Sequence, residues 1–282
     1  MRLVDSHCHL NADQFDDDLE RVVDSARAGG LERLLVPGWN VRSCERALDI
    51  VGRLPALDAA VGVHPHDAAK VDDAGWARVA ASARDPVVVA IGETGLDYDR
   101  VFSPIPDQLA NLRRNLALAL ETGKPAILHC RSAAGRSDGQ DALLHELRAA
   151  RVGGASWTAA FGARPPAVVH SFSGSVGYAR AMLDLGLAVS FSGLVFRRGE
   201  EASAEVAALV PAERLLVETD SPFLAPPGAP RARNEPEWVR VTATWAATQR
   251  GMDPEALGPA FVVAYDRTFP RSRPRPAALD AD

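Results

Sequence analysis

Short apolar runs recur along the chain, and most end in a polar cluster. Leu3-Val4 leads into Asp5-Ser6-His7-Cys8-His9, and Leu31 to Val36 into Pro37-Gly38-Trp39-Asn40. Leu57 to Val63 leads into His64-Pro65-His66-Asp67, and Val87 to Ile91 into Gly92-Glu93-Thr94-Gly95-Leu96-Asp97. Ala126 to Leu128 leads into His129-Cys130-Arg131, and Ala167 to Val169 into His170-Ser171-Phe172-Ser173-Gly174. Leu187 to Phe191 and Leu215 to Val217 complete the series, the last followed by Glu218-Thr219-Asp220-Ser221-Pro222. Such short continuous runs bounded by turn residues read as strands buried on both faces. Between them, Asp107 to Glu121 places Leu109, Leu112, Leu116 and Leu120 on one helical face. Phe15 to Ala28, Ser43 to Leu54, Asp73 to Ala83, Gly139 to Ala150 and Glu201 to Val210 carry weaker versions of that pattern. Eight strands alternating with helices predict an α/β protein with a single closed (β/α)8 TIM barrel over residues 1–269. A doubly wound open sheet is the competing architecture, but no G-x-G-x-x-G follows the first strand. Gly153 to Pro166 reads as a turn-rich insertion, and the Pro-rich stretch 270–282 as a disordered tail.

Composition narrows the class without naming it. Hydrophobic residues at 47% and charged residues at 24% describe an ordinary globular chain. No run of about 18 apolar residues exists, so no membrane span is expected. No secretory leader is visible, and Cys8, Cys44 and Cys130 show no C-x-x-C spacing, so a reducing cytoplasm is the expected compartment. A net charge of −6 argues against coating nucleic acid by bulk charge, but leaves room for local phosphate contacts.

The titratable residues are distributed unevenly over this map. Of seven histidines, six fall at strand ends (His7, His9, His64, His66, His129 and His170), while His145 lies on a predicted helix. Glu93 and Asp220 end two further strands. In a closed barrel these ends gather on one face, where active sites form. His7 and His9 are two apart on an extended segment, so both imidazoles can reach one ion. Four imidazoles (His7, His9, His129, His170) and two carboxylates (Glu93, Asp220) exceed the needs of one tetrahedral ion. They suit two divalent cations about 3.5–4 Å apart. Mixed His and carboxylate ligation admits Zn²⁺, Mn²⁺ or Mg²⁺. Cys8 and Cys130, each beside a ligand position, point the opposite way and are expected to pack. Asp97 and Tyr98 are candidates for the wall of a groove, and Trp39, Trp157 and Phe161 for either base stacking or, more readily, packing.

The motifs Asp5-Ser6-His7-Cys8-His9-Leu10, Gly62-Val63-His64-Pro65-His66, Gly92-Glu93-Thr94-Gly95-Leu96-Asp97, His170-Ser171-Phe172-Ser173-Gly174, Glu218-Thr219-Asp220-Ser221-Pro222 and Arg233-Asn234-Glu235-Pro236 together resemble the TatD family of metal-dependent deoxyribonucleases. That family belongs to the amidohydrolase-like TIM barrels, and the match runs from Leu3 to about Phe269. The resemblance implies that His7 and His9 bind a first metal, that Glu93 bridges two metals, and that His129 and His170 bind the second. It further implies that Asp220 completes the first metal beside an attacking water, and that His64 meets a phosphate oxygen. Arg131 is expected to steady the phosphate with His64, and Arg233 and Asn234, on a family motif, to contact nucleic acid. The expected substrate is DNA, as single strands or ends, cleaved at phosphodiester bonds, with no membrane and no obligate protein partner. The alternative is an amidohydrolase-like enzyme on the same scaffold, cleaving a small phosphoester, lactone or amide. The chain departs from the family pattern at Ser171, where a Cys is usual, at Ala264-Tyr265-Asp266, where an Asn is usual, and in the 153–166 insertion.

Overall fold

A computed structural model describes residues 1–54 and 56–271. In chain order the elements are β1 (Leu3–Asp5), α1 (Leu19–Ala28), β2 (Leu31–Pro37), α2 (Val41–Arg53), β3 (Leu57–Val61), α3 (Asp73–Ser82), β4 (Val88–Asp97), α4 (Ile105–Thr122) and β5 (Ala126–Arg131). There follow α5 (Asp138–Ala149), α6 (Ala155–Phe161), β6 (Ala167–Val169), α7 (Val176–Asp184), β7 (Ala188–Phe191), α8 (Ser203–Leu209), β8 (Leu215–Val217), α9 (Val239–Gln249) and α10 (Pro254–Thr268). The eight strands are parallel and paired in sequence order from β1 to β8. Ser6 N–H donates to Val217 O at 3.1 Å, Asp220 N–H to His7 O at 2.9 Å and His9 N–H to Ser221 O at 2.7 Å. These bonds draw the last strand end against the first, so the ring is a (β/α)8 barrel. Every residue of β1, β3, β4, β6, β7 and β8 is buried, as expected of a wall with a packed interior on one side and helices on the other.

Two strands run further than their apolar cores predict. β4 continues through Gly92 to Asp97 and β5 through His129 to Arg131, because Gly95, Leu96 and Asp97 pair with His129, Cys130 and Arg131. The polar motif after Ile91 is therefore sheet rather than loop. The 153–166 insertion also differs from its turn-rich reading, since it contains α6. Trp157 and Phe161 of α6 stack on each other at 5.5 Å and are buried, and Trp157 Nε1–H donates to Ala150 O. They pack against the barrel's outer helices and present no ring for base stacking. Of the expected tail, Arg271 pairs with Asp58, and residues 272–282 lie outside the described residues.

The end of the barrel opposite the histidines is closed by a buried charge cluster. Arg33 on β2 lies 2.6 Å from Asp58 on β3 and also pairs with Asp266 of α10. Tyr265 O–H donates to Asp58 at 2.8 Å. The Ala264-Tyr265-Asp266 departure from the family pattern thus has a local use. Asp58→Ala leaves Arg33 and Arg271 short of their central anion, which for a buried pair costs about 3–5 kcal/mol. Thermal melting is expected to show a Tm lower by roughly 10 °C. The metal content is expected not to change.

Candidate metal centre

His7 and His9 follow β1, His64 and His66 follow β3, Glu93 lies within β4, His129 within β5, His170 follows β6 and Asp220 follows β8. The barrel brings His7, His9, His64, Glu93, His129, His170 and Asp220 together at its C-terminal mouth. Close approach of β4 to β5 depends on Gly95, where φ is +140° and a Cβ would stand 1.9 Å from His129 O. Only glycine lets the Glu93 strand lie this near the His129 strand. Asp220 and Ser171, each at or beside a ligand position, have φ of 53° and 42°. Non-glycine residues seldom adopt such angles, and they concentrate at functional sites.

The first half of the site is nearly a tetrahedron of donor atoms. His7 Nε2 lies 3.1 Å from His9 Nε2, 3.3 Å from Glu93 Oε2 and 3.6 Å from Asp220 Oδ1. His9 Nε2 lies 3.5 Å from the same Glu93 oxygen and 3.4 Å from the same Asp220 oxygen. Four ligands about 2.1 Å from a tetrahedral cation stand about 3.4 Å from one another. The spacing therefore fits a shared cation better than a set of hydrogen bonds, which would be shorter.

The second half is built on the other oxygen of Glu93. His170 Nε2 lies 2.9 Å from Glu93 Oε1, His129 Nδ1 3.1 Å from it, and the two imidazole nitrogens 3.4 Å from each other. His64 Nε2 is also near, at 3.3 Å. The Nδ1 of His64, however, accepts the His66 backbone N–H at 3.1 Å, so a neutral ring carries its proton on Nε2. His64 thus presents a donor, whereas His129 and His170 present lone pairs. Three ligands with positions left over is the composition of a catalytic site rather than a closed structural one. The donor set and its spacing fit two divalent cations with Glu93 between them.

Protonation follows from burial and neighbours. Burial would raise the Glu93 carboxyl, but the imidazoles of His64, His170 and His7 outweigh it and hold it well below the usual carboxylate range. Burial, with His170 beside it, pushes His7 down, and burial brings His64 to about 4 despite Glu93. His170 goes the other way, well above its ordinary value, because Glu93 and Glu218 overcome its burial. Burial also opposes the charge on His129, which Asp97 and Glu93 nonetheless raise.

A set of acids behind the ligands orients them. His170 Nδ1–H donates to Glu218 at 3.2 Å, leaving Nε2 free toward the site, and Ser171 N–H and Oγ–H donate to the same oxygen at 2.6 and 2.9 Å. Asp97 accepts from His66 Nε2–H at 2.7 Å and faces His129 Nε2 at 3.5 Å. Asp5 accepts from Thr219 Oγ1–H at 2.5 Å and from the Thr219 and His7 backbone N–H groups. The roles of Asp5 and Glu218 were not anticipated, and Asp97 supports two rings rather than facing a groove. Asp5 and Glu218 each precede a ligand (His7, Asp220) by two residues, which is the signal that points to them.

Two expected substrate contacts are placed elsewhere. Arg233 is held by Asp18 at 2.7 Å and by Glu235 at 2.5 Å over the Phe15 ring, so its cation is already balanced by carboxylates. Asn234 is fully buried, and its amide donates to Thr219 O at 3.0 Å and Phe223 O at 2.7 Å. It shapes the loop carrying Asp220 and cannot touch a substrate from there. Arg131 stands at the mouth, half exposed, and pairs with Asp99 at 2.8 Å.

Residues 4–270 match the family of TatD related DNases. The chain belongs to the TatD family. Among curated TatD relatives, an uncharacterized metal-dependent hydrolase, YabD of Bacillus subtilis, is 35% identical over 95% of this chain and 98% of its own. The protein named 3'-5' ssDNA/RNA exonuclease TatD from Klebsiella pneumoniae is 36% identical over 90% of this chain and 93% of its own. The crystal structure of the TatD homologue YJJV of Escherichia coli superposes with a TM-score of 0.81 at 27% identity, covering 95% of this chain and 98% of that one. This TatD chain is accordingly a metal-dependent hydrolase acting on ester bonds.

The raised His170 gives a pH dependence with a definite sign. In the metal-free protein that ring keeps its proton above the ordinary histidine range, so cation binding near neutral pH releases it. Zinc affinity is expected to fall as pH drops from 8 to 6, by about tenfold per pH unit for each proton displaced. Calorimetric titrations in two buffers of different ionisation enthalpy measure the release.

Proposed function

We propose that this TatD chain is a deoxyribonuclease that hydrolyses phosphodiester bonds of single-stranded DNA or strand ends with two divalent cations. His7, His9, Glu93 and Asp220 hold the first cation, and Glu93, His129 and His170 the second. The observation that carries this reading is the division of Glu93, one oxygen serving His7 and His9 and the other His129 and His170. Bound divalent cations supply Lewis acidity and bring the pKa of a coordinated water to about 7.

The side chains account for the remaining steps. Asp220, at the edge of the first half-site, accepts a proton from the attacking water. His64 keeps its proton on Nε2 and, being neutral at pH 7, donates it in a hydrogen bond to a non-bridging phosphate oxygen. Arg131 adds a cation at the mouth, exchanging Asp99 for phosphate. The name of the Klebsiella relative supports a single-stranded substrate. No helix of the described residues is long and apolar enough to cross a membrane, and the three cysteines are free. Both accord with work in the cytoplasm.

The amide- and lactone-cleaving alternative commonly relies on a carboxylated lysine between its metals. The chain has only Lys70 and Lys124. Lys70 pairs with Asp67 at 2.7 Å, and Lys124 donates to Ala83 O and Asp85 O at the far end of the barrel. Neither reaches the position of Glu93.

Metal-loaded protein incubated with single-stranded DNA, duplex DNA, RNA and a lactone is expected to cleave the single strand, and chelator to abolish cleavage. Activity on the lactone alone overturns the nuclease reading. His64→Ala is expected to lower kcat on DNA by about 10²–10³-fold while metal content stays that of the wild type.

A further inference from the structure

Two of the most exposed apolar side chains among the described residues flank the metal centre on opposite sides. Phe223 is 53% exposed and lies 6.0 Å, edge to face, from His9 of the first half-site. Phe102 is 62% exposed and lies 4.7 Å from His66, whose ring in turn meets those of His64 and His129 beside the second half-site. A single exposed apolar side chain is ordinary, but two aromatic rings held at the rim of the same polar site offer paired faces to a ligand.

Neither ring rides on a slack loop. Phe223 N–H donates to Asp220 O at 2.9 Å and Phe223 O accepts from the buried Asn234 amide. The next residue, Leu224, has φ of 47° and its carbonyl seats against Gly193, where a Cβ would lie 1.8 Å away. Phe102 follows Val101, a β-branched residue at φ 45°. It precedes Ser103, which donates to His66 O, accepts from Ala69 N–H and is held at its own carbonyl by Gln108. Strained backbone beside each exposed ring, tied by hydrogen bonds to the metal-site loops, marks a fixed display rather than a disordered one.

We infer that Phe102 and Phe223 are base-stacking platforms, one on each side of the scissile phosphate, that seat the two flanking nucleotides of a single strand. The inference rests on the nuclease reading and deepens it. A phosphate at the centre puts its neighbouring bases within reach of rings lying beside the two half-sites, and a single strand offers the free π-faces that a duplex conceals. Stacking tolerates any base, so sequence preference is weak. It also fits the net charge of −6, since affinity then leans less on bulk cationic charge.

The test uses the metal-loaded chain and a single strand whose phosphodiester linkages are replaced by hydrolysis-resistant ones, so that binding is read apart from cleavage. Anisotropy of a labelled single-stranded oligonucleotide is expected to show Kd raised by about 5- to 100-fold in Phe102→Ala and in Phe223→Ala. Phe102→Leu and Phe223→Leu are expected to lose nearly as much, and the Trp replacements to keep wild-type affinity. An oligonucleotide of abasic residues is expected to bind wild type and all variants alike, weakly. Equal affinity of wild type and Ala variants for the natural strand overturns the inference, as does an equal loss against the abasic strand. If wild type cleaves DNA while these variants do so unimpaired, only the stacking role falls. A wild type that neither binds nor cleaves a single strand takes the nuclease reading down with it.

Discussion

Everything at the mouth of the barrel depends on holding one buried carboxylate, Glu93, among five imidazoles. Its Oε2 faces His7 and His9, and its Oε1 faces His64, His129 and His170, all within 3.5 Å. A carboxylate taken out of water costs several kcal/mol unless opposite charge or donors replace the lost solvent. Burial disfavours the protonation of His7 and His64 for the same reason, while the carboxylates beside His170 and His129 favour theirs. Each set makes the other tolerable, and cations placed between them would satisfy both. The fold's contribution is distance: strand ends from around the ring converge, and the narrow β4–β5 approach at Gly95 fixes where Glu93 stands relative to His129.

The bonds that close the barrel are also bonds that orient the ligands. Asp5 and Glu218 are both buried at the β1–β8 seam, yet burial treats them differently. Glu218 faces His170 and is held down to about 2, so it is a carboxylate oriented toward an imidazole. Asp5 has hydroxyl and amide donors but no cation, and burial pushes it well above the usual carboxylate range. Its bonds to Thr219 and to His7 N–H tie the strand carrying one ligand to the loop carrying another. Closure of the ring and alignment of His7 with Asp220 are therefore a single structural event.

Periodicity makes the barrel legible because each wall strand carries a short apolar run, and the clustering of histidines at strand ends makes the centre legible. Other features lack such a signal. α6 is short and follows Gly153-Gly154, and α10 carries Gly258 and Pro259 in mid-helix, so neither shows a clean helical period. α7 and α9 are hidden by evenly spread small residues, although Ser175 caps α7 by accepting from Tyr178 N–H. Arg233 and Asn234 sit on a motif near the eighth strand end, but position along the chain does not reveal that Asp18, far away in sequence, claims the guanidinium. Nor does it reveal that Asn234 is turned inward. A motif identifies residues the site needs and is silent on whether they touch substrate or hold the backbone that does.

The division between centre and rim bears on what the scaffold can catalyse. The ligands stand on strands and on the seam, where a change of position would open the barrel, so the centre is hard to alter. The rim side chains Phe102, between β4 and α4, and Phe223, between β8 and α9, make no side-chain bond to a ligand and can be exchanged while the backbone that carries Asp220 stays. A lysine that must be chemically modified before it can hold cations depends on a second reaction, whereas a carboxylate in the place of Glu93 is ready as synthesised. With the donor set fixed by the strands, discrimination among substrates would fall to what the rim displays.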